Sequence, residues 1–242
     1  MASGLFLKET EPWTKLKQAG ALPSGWFGSY RQLLADKDER RNLLIGTLLA
    51  IAGVVGLWAV GEYAVDLQDA VFTAHFAAQN PGGDIAALVA QAKNWAYLLQ
   101  MIGGAAGMFA FTYIADRYGR RPAFTIGFTA ALVTTLFVYW RLETPADAYW
   151  MMPLMGAAQL SVFAGFAIYL PELFSARVRG TGVSFAYNLG RFAAAGGSFV
   201  SALLSTRLFS GFAAPAPLRY SAMVMCAVFL IGIVASRFAP ET

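Results

Sequence analysis

The stretch LLIGTLLAIAGVVGLWAVGEYAV, residues Leu43 to Val65, carries a single charge, Glu62, close to its far end. Wound as a helix rising about 1.5 Å per residue, it is long enough to cross roughly 30 Å of hydrocarbon. A soluble protein can bury one such helix. This chain repeats the pattern at Trp95 to Ala115, Pro122 to Trp140, Tyr149 to Leu170, Thr181 to Leu204 and Leu218 to Ser236, the fifth interrupted by Arg191. Six helices of this kind leave almost no polar face for water. The expectation is an all-α polytopic membrane protein with six transmembrane helices, its partner along the sides being the lipid bilayer.

Composition agrees with that reading. The 242 residues are 57% hydrophobic with a mean hydropathy of +0.52, and the charged share of 13% is well below the usual quarter or so of a soluble domain. Net charge is +4, but the basic residues sit in short clusters between uncharged segments, so no continuous face for a nucleic acid is expected. The lone Cys226 allows neither an intramolecular disulfide nor a multi-cysteine metal site. No G-x-S-x-G, H-E-x-x-H, Walker or dinucleotide motif occurs, and one His far from one Cys makes no dyad, so neither an enzyme nor a cofactor is expected. His75, alone among Ala and Phe, reads as an ordinary histidine rather than a metal ligand. The first 20 residues lack the apolar core of a signal peptide.

Short-loop charge sets the orientation. Lys37, Arg40, Arg41, Arg117, Arg120, Arg121, Arg177, Arg179 and Arg237 fall on one side, against Lys93, Arg141, Arg207 and Arg219 on the other. The positive-inside rule puts both termini in the cytoplasm, in a bacterial inner (plasma) membrane. Residues 1–41 read as a cytoplasmic arm with breakers at Gly20, Pro23, Gly25 and Gly28, then either a helix capped by Ser29 whose Trp26 or Phe27, Leu33 and Leu34 press toward the headgroups or a loosely ordered linker; residues 42–242 form the membrane domain. The segment Asp66 to Asn94 reads as the longest external connection, and Trp58, Trp95, Trp140 and Trp150 as outer aromatic-belt anchors. Gly103 and Gly107, four apart, can form a small-residue groove or serve as packing filler.

Between the second and third spans, TYIADRYGRRPAF at residues 112–124 places four charges in six positions. Positive-inside labelling explains its arginines but not Asp116. An ion pair there can brace a tight turn at Tyr118 and Gly119, where glycine supplies the dihedral freedom, and Pro122 fits the first turn of the next helix. A second loop, YLPELFSARVRGTGVSFAYNLGR at 169–191, offers Glu172 as an acceptor for Arg177 or Arg179.

The first loop resembles the G-x-x-x-D-R-x-G-R-R signature of the major facilitator superfamily, matched by Asp116, Arg117, Gly119, Arg120 and Arg121, with Thr112 where the family has its leading glycine. The second resembles the fourth-to-fifth helix connection of metabolite:proton symporters and sugar-porter-like members, and RFAPET resembles the end of their last helix. The resemblance runs from about residue 9 to 242 and implies the C-terminal six-helix half of a twelve-helix fold, with ETEPW near the start resembling the central cytoplasmic connection. It further implies a fragment that works with a missing N-terminal six-helix half, or with a second half-size chain. Asp116, Arg117, Gly119, Arg120, Arg121, Glu172, Arg177 and Arg179 are then expected to form a conformational latch at the cytoplasmic edge.

Within the spans, Arg191 lies ten positions into the fifth, roughly 15 Å deep by helical rise. A guanidinium there must face protein or water. It can bind a substrate carboxylate, form a structural ion pair, or snorkel. Tyr187 and Asn188 lie one turn away, and Gln100 and Gln159 are further candidates to hydrogen-bond a substrate. Glu62 and Asp66, four apart on one face, are proton-coupling candidates or simply a wet helix end. The function expected is secondary, proton-coupled, alternating-access transport of a small polar or anionic metabolite. The competing expectation is a membrane receptor or assembly subunit that keeps the fold without transport.

Overall fold

The computed structural model describes Thr14, Gln18 and residues 27–242. The arm readings at ETEPW, Gly20, Pro23, Gly25 and Trp26 lie outside the described residues. The described residues are all helix and connecting turn, in the order α1 (Gly28–Ala35), α2 (Lys37–Val55), a π-helical turn (Gly56–Val60), α3 (Glu62–Gln79), α4 (Ile85–Tyr118), α5 (Arg120–Arg141), α6 (Pro145–Glu172), α7 (Arg179–Leu203), a second π-helical turn (Leu204–Leu208), α8 (Ala216–Met225) and α9 (Val228–Phe238).

Among the described residues, five helices are long and apolar enough to cross a membrane: Lys37–Gln79, Ile85–Tyr118, Arg120–Arg141, Pro145–Glu172 and Ala216–Phe238. The 25 residues of α7 have the length as well, but Ser184, Asn188, Arg191 and Ser198 lower its hydropathy and it is not one of the five. The reading of an all-α polytopic membrane protein therefore stands.

Two local expectations change. The cap before the first long helix is Asp36, not Ser29: its backbone is extended and its carboxylate accepts from the N–H groups of Asp38 and Glu39. Asp36 thus ends the short α1 and starts α2, with Asp38 and Glu39 adding negative charge where the helix dipole favours it. The supposed long external connection is mostly helix. Leu67, Gln68, Val71 and Phe72 continue the buried stripe of the preceding span, so α3 runs on to Gln79 and the loop shrinks to residues 80–84. Asp84 then caps α4, and an ion pair between Lys93 and Asp69 (2.8 Å) ties the two helices.

Packing is closest between α4 and α6. A methyl added at Gly103 would lie 2.0 Å from the carbonyl oxygen of Pro153, and one at Gly107 2.0 Å from that of Ala157. Gly156 meets the Gln100 carbonyl in the same way. The Gly103–Gly107 pair is therefore a backbone-to-backbone seam, the geometry that small residues permit when no hydrophobic effect drives helices together in lipid. Beside it an aromatic core joins α4, α5 and α6: Phe124 meets Phe111 (ring centroids 5.0 Å), Tyr169 (5.4 Å) and Phe166 (5.8 Å).

Candidate functional site: a mid-bundle groove and a charged edge

Helix α7 lies along α2 and the π turn. A methyl on Gly190 would sit 3.0 Å from the Ala50 backbone, and one on Gly197 2.8 Å from the Ala59 side chain. One flank of this contact opens into a cavity of about 260 Å³ lined by Val54, Trp58, Glu62, Arg191, Ala194, Ala195 and Ser198. The π turn shapes it. Gly61 N–H reaches back five residues to the Gly56 carbonyl, and the wider turn reduces the rotation per residue, so Trp58 and Glu62 stay on the flank set by Val54. The buried Tyr139 hydroxyl donates to the Val60 carbonyl, satisfying one backbone acceptor of this irregular turn.

Arg191 and Glu62 are both exposed to this cavity, and among the described residues neither makes a hydrogen bond or ion pair. With Gly190 packed at Ala50, Glu62 lies about 11 residues further along its helix than Arg191, on the order of 15 Å by helical rise. The two charges therefore mark opposite ends of one groove. Trp58, read from the sequence as a belt residue, stands between them, and Ser198 adds a hydroxyl; its spacing four before Glu62 was the signal available for Trp58.

The other candidates divide. Asn188 is exposed on α7 and its amide donates to the Ser184 carbonyl (2.9 Å), while Tyr187 is half-buried against the core. Asp66 is exposed one turn beyond Glu62. Gln159 is buried, its Nε2 donating to Thr135 Oγ1 (3.0 Å) and its Oε1 without a partner. Gln100 is half-buried where α4 meets Gly156. Neither glutamine lines the groove.

At one end of the bundle the charged loops gather. Arg120 donates through Nε and Nη2 to both carboxylate oxygens of Glu172 (3.1 and 3.0 Å) and through Nη1 to Asp116 (3.1 Å), a bidentate pair extended to a third helix end. The turn it braces is a single residue, Gly119, at φ +96°, because α4 continues through Tyr118. Glu172 thus pairs with Arg120, 52 positions earlier, rather than with Arg177 or Arg179; Arg179 instead donates to the Phe174 carbonyl. Arg117 donates to the Tyr113 hydroxyl (2.8 Å) and lies over the Tyr118 ring. Arg121 donates to the Ala239 carbonyl, and its backbone N–H to Glu241 (3.1 Å). Thr242 donates to Glu172 (2.7 Å), Tyr169 to the Pro240 carbonyl (2.7 Å), and the Ser175 N–H to Glu39 (3.1 Å). Every loop assigned to the positive side, and the C-terminal segment, meets at this end. At the opposite end Arg219 donates to the carbonyls of Tyr139, Trp140 and Leu142, closing the terminus of α5.

Comparison with known proteins matches residues 17–242 to the family described as "Sugar (and other) transporter". Over 111 residues the chain is 32% identical to the probable 4-methylmuconolactone transporter of Cupriavidus pinatubonensis (strain JMP 134 / LMG 1197), a match covering 46% of this chain. The chain spans about a quarter (26%) of the length of that curated relative. A helical membrane bundle with a groove between α2 and α7 that holds Arg191 and Glu62, and an arginine-braced turn at its edge, fits what the family match states: this chain is an integral membrane protein of the sugar (and other) transporter family, of the major facilitator type, a family of transporters rather than enzymes.

Proposed function

We propose that this chain is the C-terminal half of a secondary transporter, six spans from residue 42 to 242 with α7 as the span of lowest hydropathy, preceded by a connecting arm at 1–41. It works by alternating access together with an N-terminal six-helix half or a second half-size chain, in a bacterial inner membrane with both termini in the cytoplasm. Its substrate is a small polar or carboxylate metabolite. The observation that carries this reading is the groove: Arg191 stands in mid-helix, exposed to a largely apolar cavity that also holds Glu62 and Ser198, and without a partner among the described residues. A guanidinium cannot shed its proton to escape the cost of such a site, and its planar fork matches a carboxylate. The bacterial relative is described as a probable transporter of 4-methylmuconolactone, by its name a small lactone ring. Trp58 offers such a ring an apolar face, Ser198 adds a hydroxyl to the cavity, and Tyr187 and Asn188 lie one turn from Arg191 on α7. Gln100 and Gln159 remain further candidates to hydrogen-bond the substrate during the transport cycle.

Glu62, at the other end of the groove, carries the coupled proton, with Asp66 one turn beyond as its relay to water. The edge cluster of Asp116, Arg117, Gly119, Arg120, Arg121 and Glu172, with Arg177 and Arg179 on the following turn, holds one conformation of the cycle.

The test is uptake into proteoliposomes of the full transporter containing this chain, with labelled 4-methylmuconolactone and a panel of aromatic and aliphatic acids, under an imposed pH gradient. Gradient-dependent accumulation of an acid is expected. Glu62→Gln should abolish accumulation against a gradient while exchange of labelled for unlabelled substrate persists. Absence of flux for every acid, alongside a ligand-dependent conformational change, would replace transport with a receptor role.

A further inference from the structure

The flank of α7 turned away from Arg191 is of opposite character. Phe185 and Leu189 wall a groove of about 600 Å³ against α2, and its mouth carries Lys37, Arg40 and Arg41. A second groove of about 600 Å³ shares Arg41 and Leu44 with the first and continues between α2 and α9, walled by Leu48, Leu230, Val234 and Phe238. On α2 the residues Lys37, Arg40, Arg41, Leu44, Thr47 and Leu48 recur at helical spacing, so three cations top a single apolar stripe. The troughs reach roughly 10 Å below the guanidinium groups by helical rise.

Two further observations bear on what lies there. Among the described residues Lys37 and Arg40 form neither a hydrogen bond nor an ion pair, and Arg41 makes one long contact with the Phe238 carbonyl (3.4 Å). Thr47, in the first groove, is 7% exposed, and its Oγ1 has no hydrogen-bond partner. It sits about two turns below Arg40, roughly 10 Å by helical rise, in the apolar part of the groove.

We infer that this paired groove is a site for one anionic diacyl phospholipid, its phosphate held by Lys37, Arg40 and Arg41, and one acyl chain in each trough. Charge complementarity selects the occupant: a zwitterionic lipid brings its own cation to a mouth that already holds three, and a soluble anion leaves both apolar troughs unfilled. The site is independent of the substrate groove, so its test does not rest on transport.

The full chain, released from nanodiscs of phosphatidylcholine and phosphatidylglycerol in a 4:1 ratio, is weighed by native mass spectrometry and its retained lipids counted. Phosphatidylglycerol should be retained in preference to phosphatidylcholine. Lys37→Gln with Arg40→Gln, two exposed and unpaired side chains, should lower that preference by about fivefold for each charge removed. Leu44→Trp, at a side chain 60% exposed between the two troughs, should displace the lipid with every charge intact. No enrichment in the unmodified chain would overturn the site and leave the groove to ordinary lipid or to a protein surface. Loss on charge removal with no effect of Leu44→Trp would also overturn it, in favour of a soluble anion or a diffuse surface potential. Melting profiles matching the unmodified chain exclude misfolding as the cause of either loss.

Discussion

Arg120 and Arg191 are the same side chain in opposite circumstances. Arg120 spends its fork on Glu172 and a further N–H on Asp116, joining the ends of α4, α5 and α6. Arg191 faces a cavity with none of its donors used among the described residues. A charge whose hydrogen bonds are complete contributes to the fold. One left open in mid-bundle weakens the fold unless water or a ligand completes it, and that is the mark of a binding position. The two regions should therefore respond to mutation in different observables.

The largest effect is expected at Arg191. Replacement by Ala in the intact transporter should reduce uptake of a carboxylate substrate by about a hundredfold, the value of losing one charge-assisted pair worth about 3 kcal/mol. The unliganded melting temperature should stay the same or rise. Lys, which keeps the charge and loses the fork, should fall between. Normal uptake in both variants would end the substrate-anchor role; a large drop in unliganded stability would turn Arg191 into a second Arg120.

Gly107→Ala probes a region with no charge to confound it. The new methyl meets the Ala157 backbone oxygen at 2.0 Å, and a backbone cannot rotate aside as a side chain can. A loss of about 1–3 kcal/mol is expected, read as a lower melting temperature in detergent, with substrate affinity unchanged in the molecules that remain folded. An unshifted melt would mean that the α4–α6 seam can widen to admit the methyl.

Arg120→Ala should come next. It strands the Glu172 carboxylate among neighbouring backbone and the C-terminal segment, with side-chain exposure of 32%. Partial solvation limits the cost to about 1–2 kcal/mol. Because the pair ties helix ends, the loss should appear in melting temperature and in the balance between inward- and outward-accessible labelling, while substrate affinity within each state holds. A changed affinity for substrate at saturating labelling would connect the edge to the groove directly.

How far these contrasts were legible in the sequence depends on the range of the interaction. The long apolar helices, the one-sided basic loops and the glycine turn at residue 119 are local properties of hydropathy, charge and backbone freedom, and each is visible in the chain, although the six expected spans are matched by five helices long and apolar enough to cross. The extension of α3 to Gln79 is hidden in the sequence because polar residues such as Gln68 and Asp69 break the apolar run, although Leu67, Val71 and Phe72 keep the buried stripe going. Glu172 was assigned to the nearest arginines in sequence. Its partner lies 52 residues away, brought there by antiparallel packing that no spacing rule reports. Trp58 was read by composition as a membrane-interface anchor, and only the π turn and the register of Gly190 on Ala50 place it between Glu62 and Arg191. Arg191 itself was legible, because the cost of a guanidinium in mid-span needs no knowledge of its neighbours.

Asp116 supplies the smallest and sharpest test of the comparison. Its side chain is 67% exposed and meets Arg120 across the Gly119 turn at 3.1 Å, four residues on. An exposed pair of this kind is worth only a few tenths of a kcal/mol to about 0.5 kcal/mol, and salt screens it. Asp116→Asn should therefore leave the melting temperature almost unmoved. If the edge cluster works as a latch, a change that small still alters the ratio of two conformations by about twofold, because an equilibrium between states responds to differences that global stability hides. The shift should be visible in accessibility labelling at low ionic strength and should disappear at high salt. An unchanged ratio at low salt would confine Asp116 to bracing the turn and leave the Arg120–Glu172 pair as the element that distinguishes one state from the other.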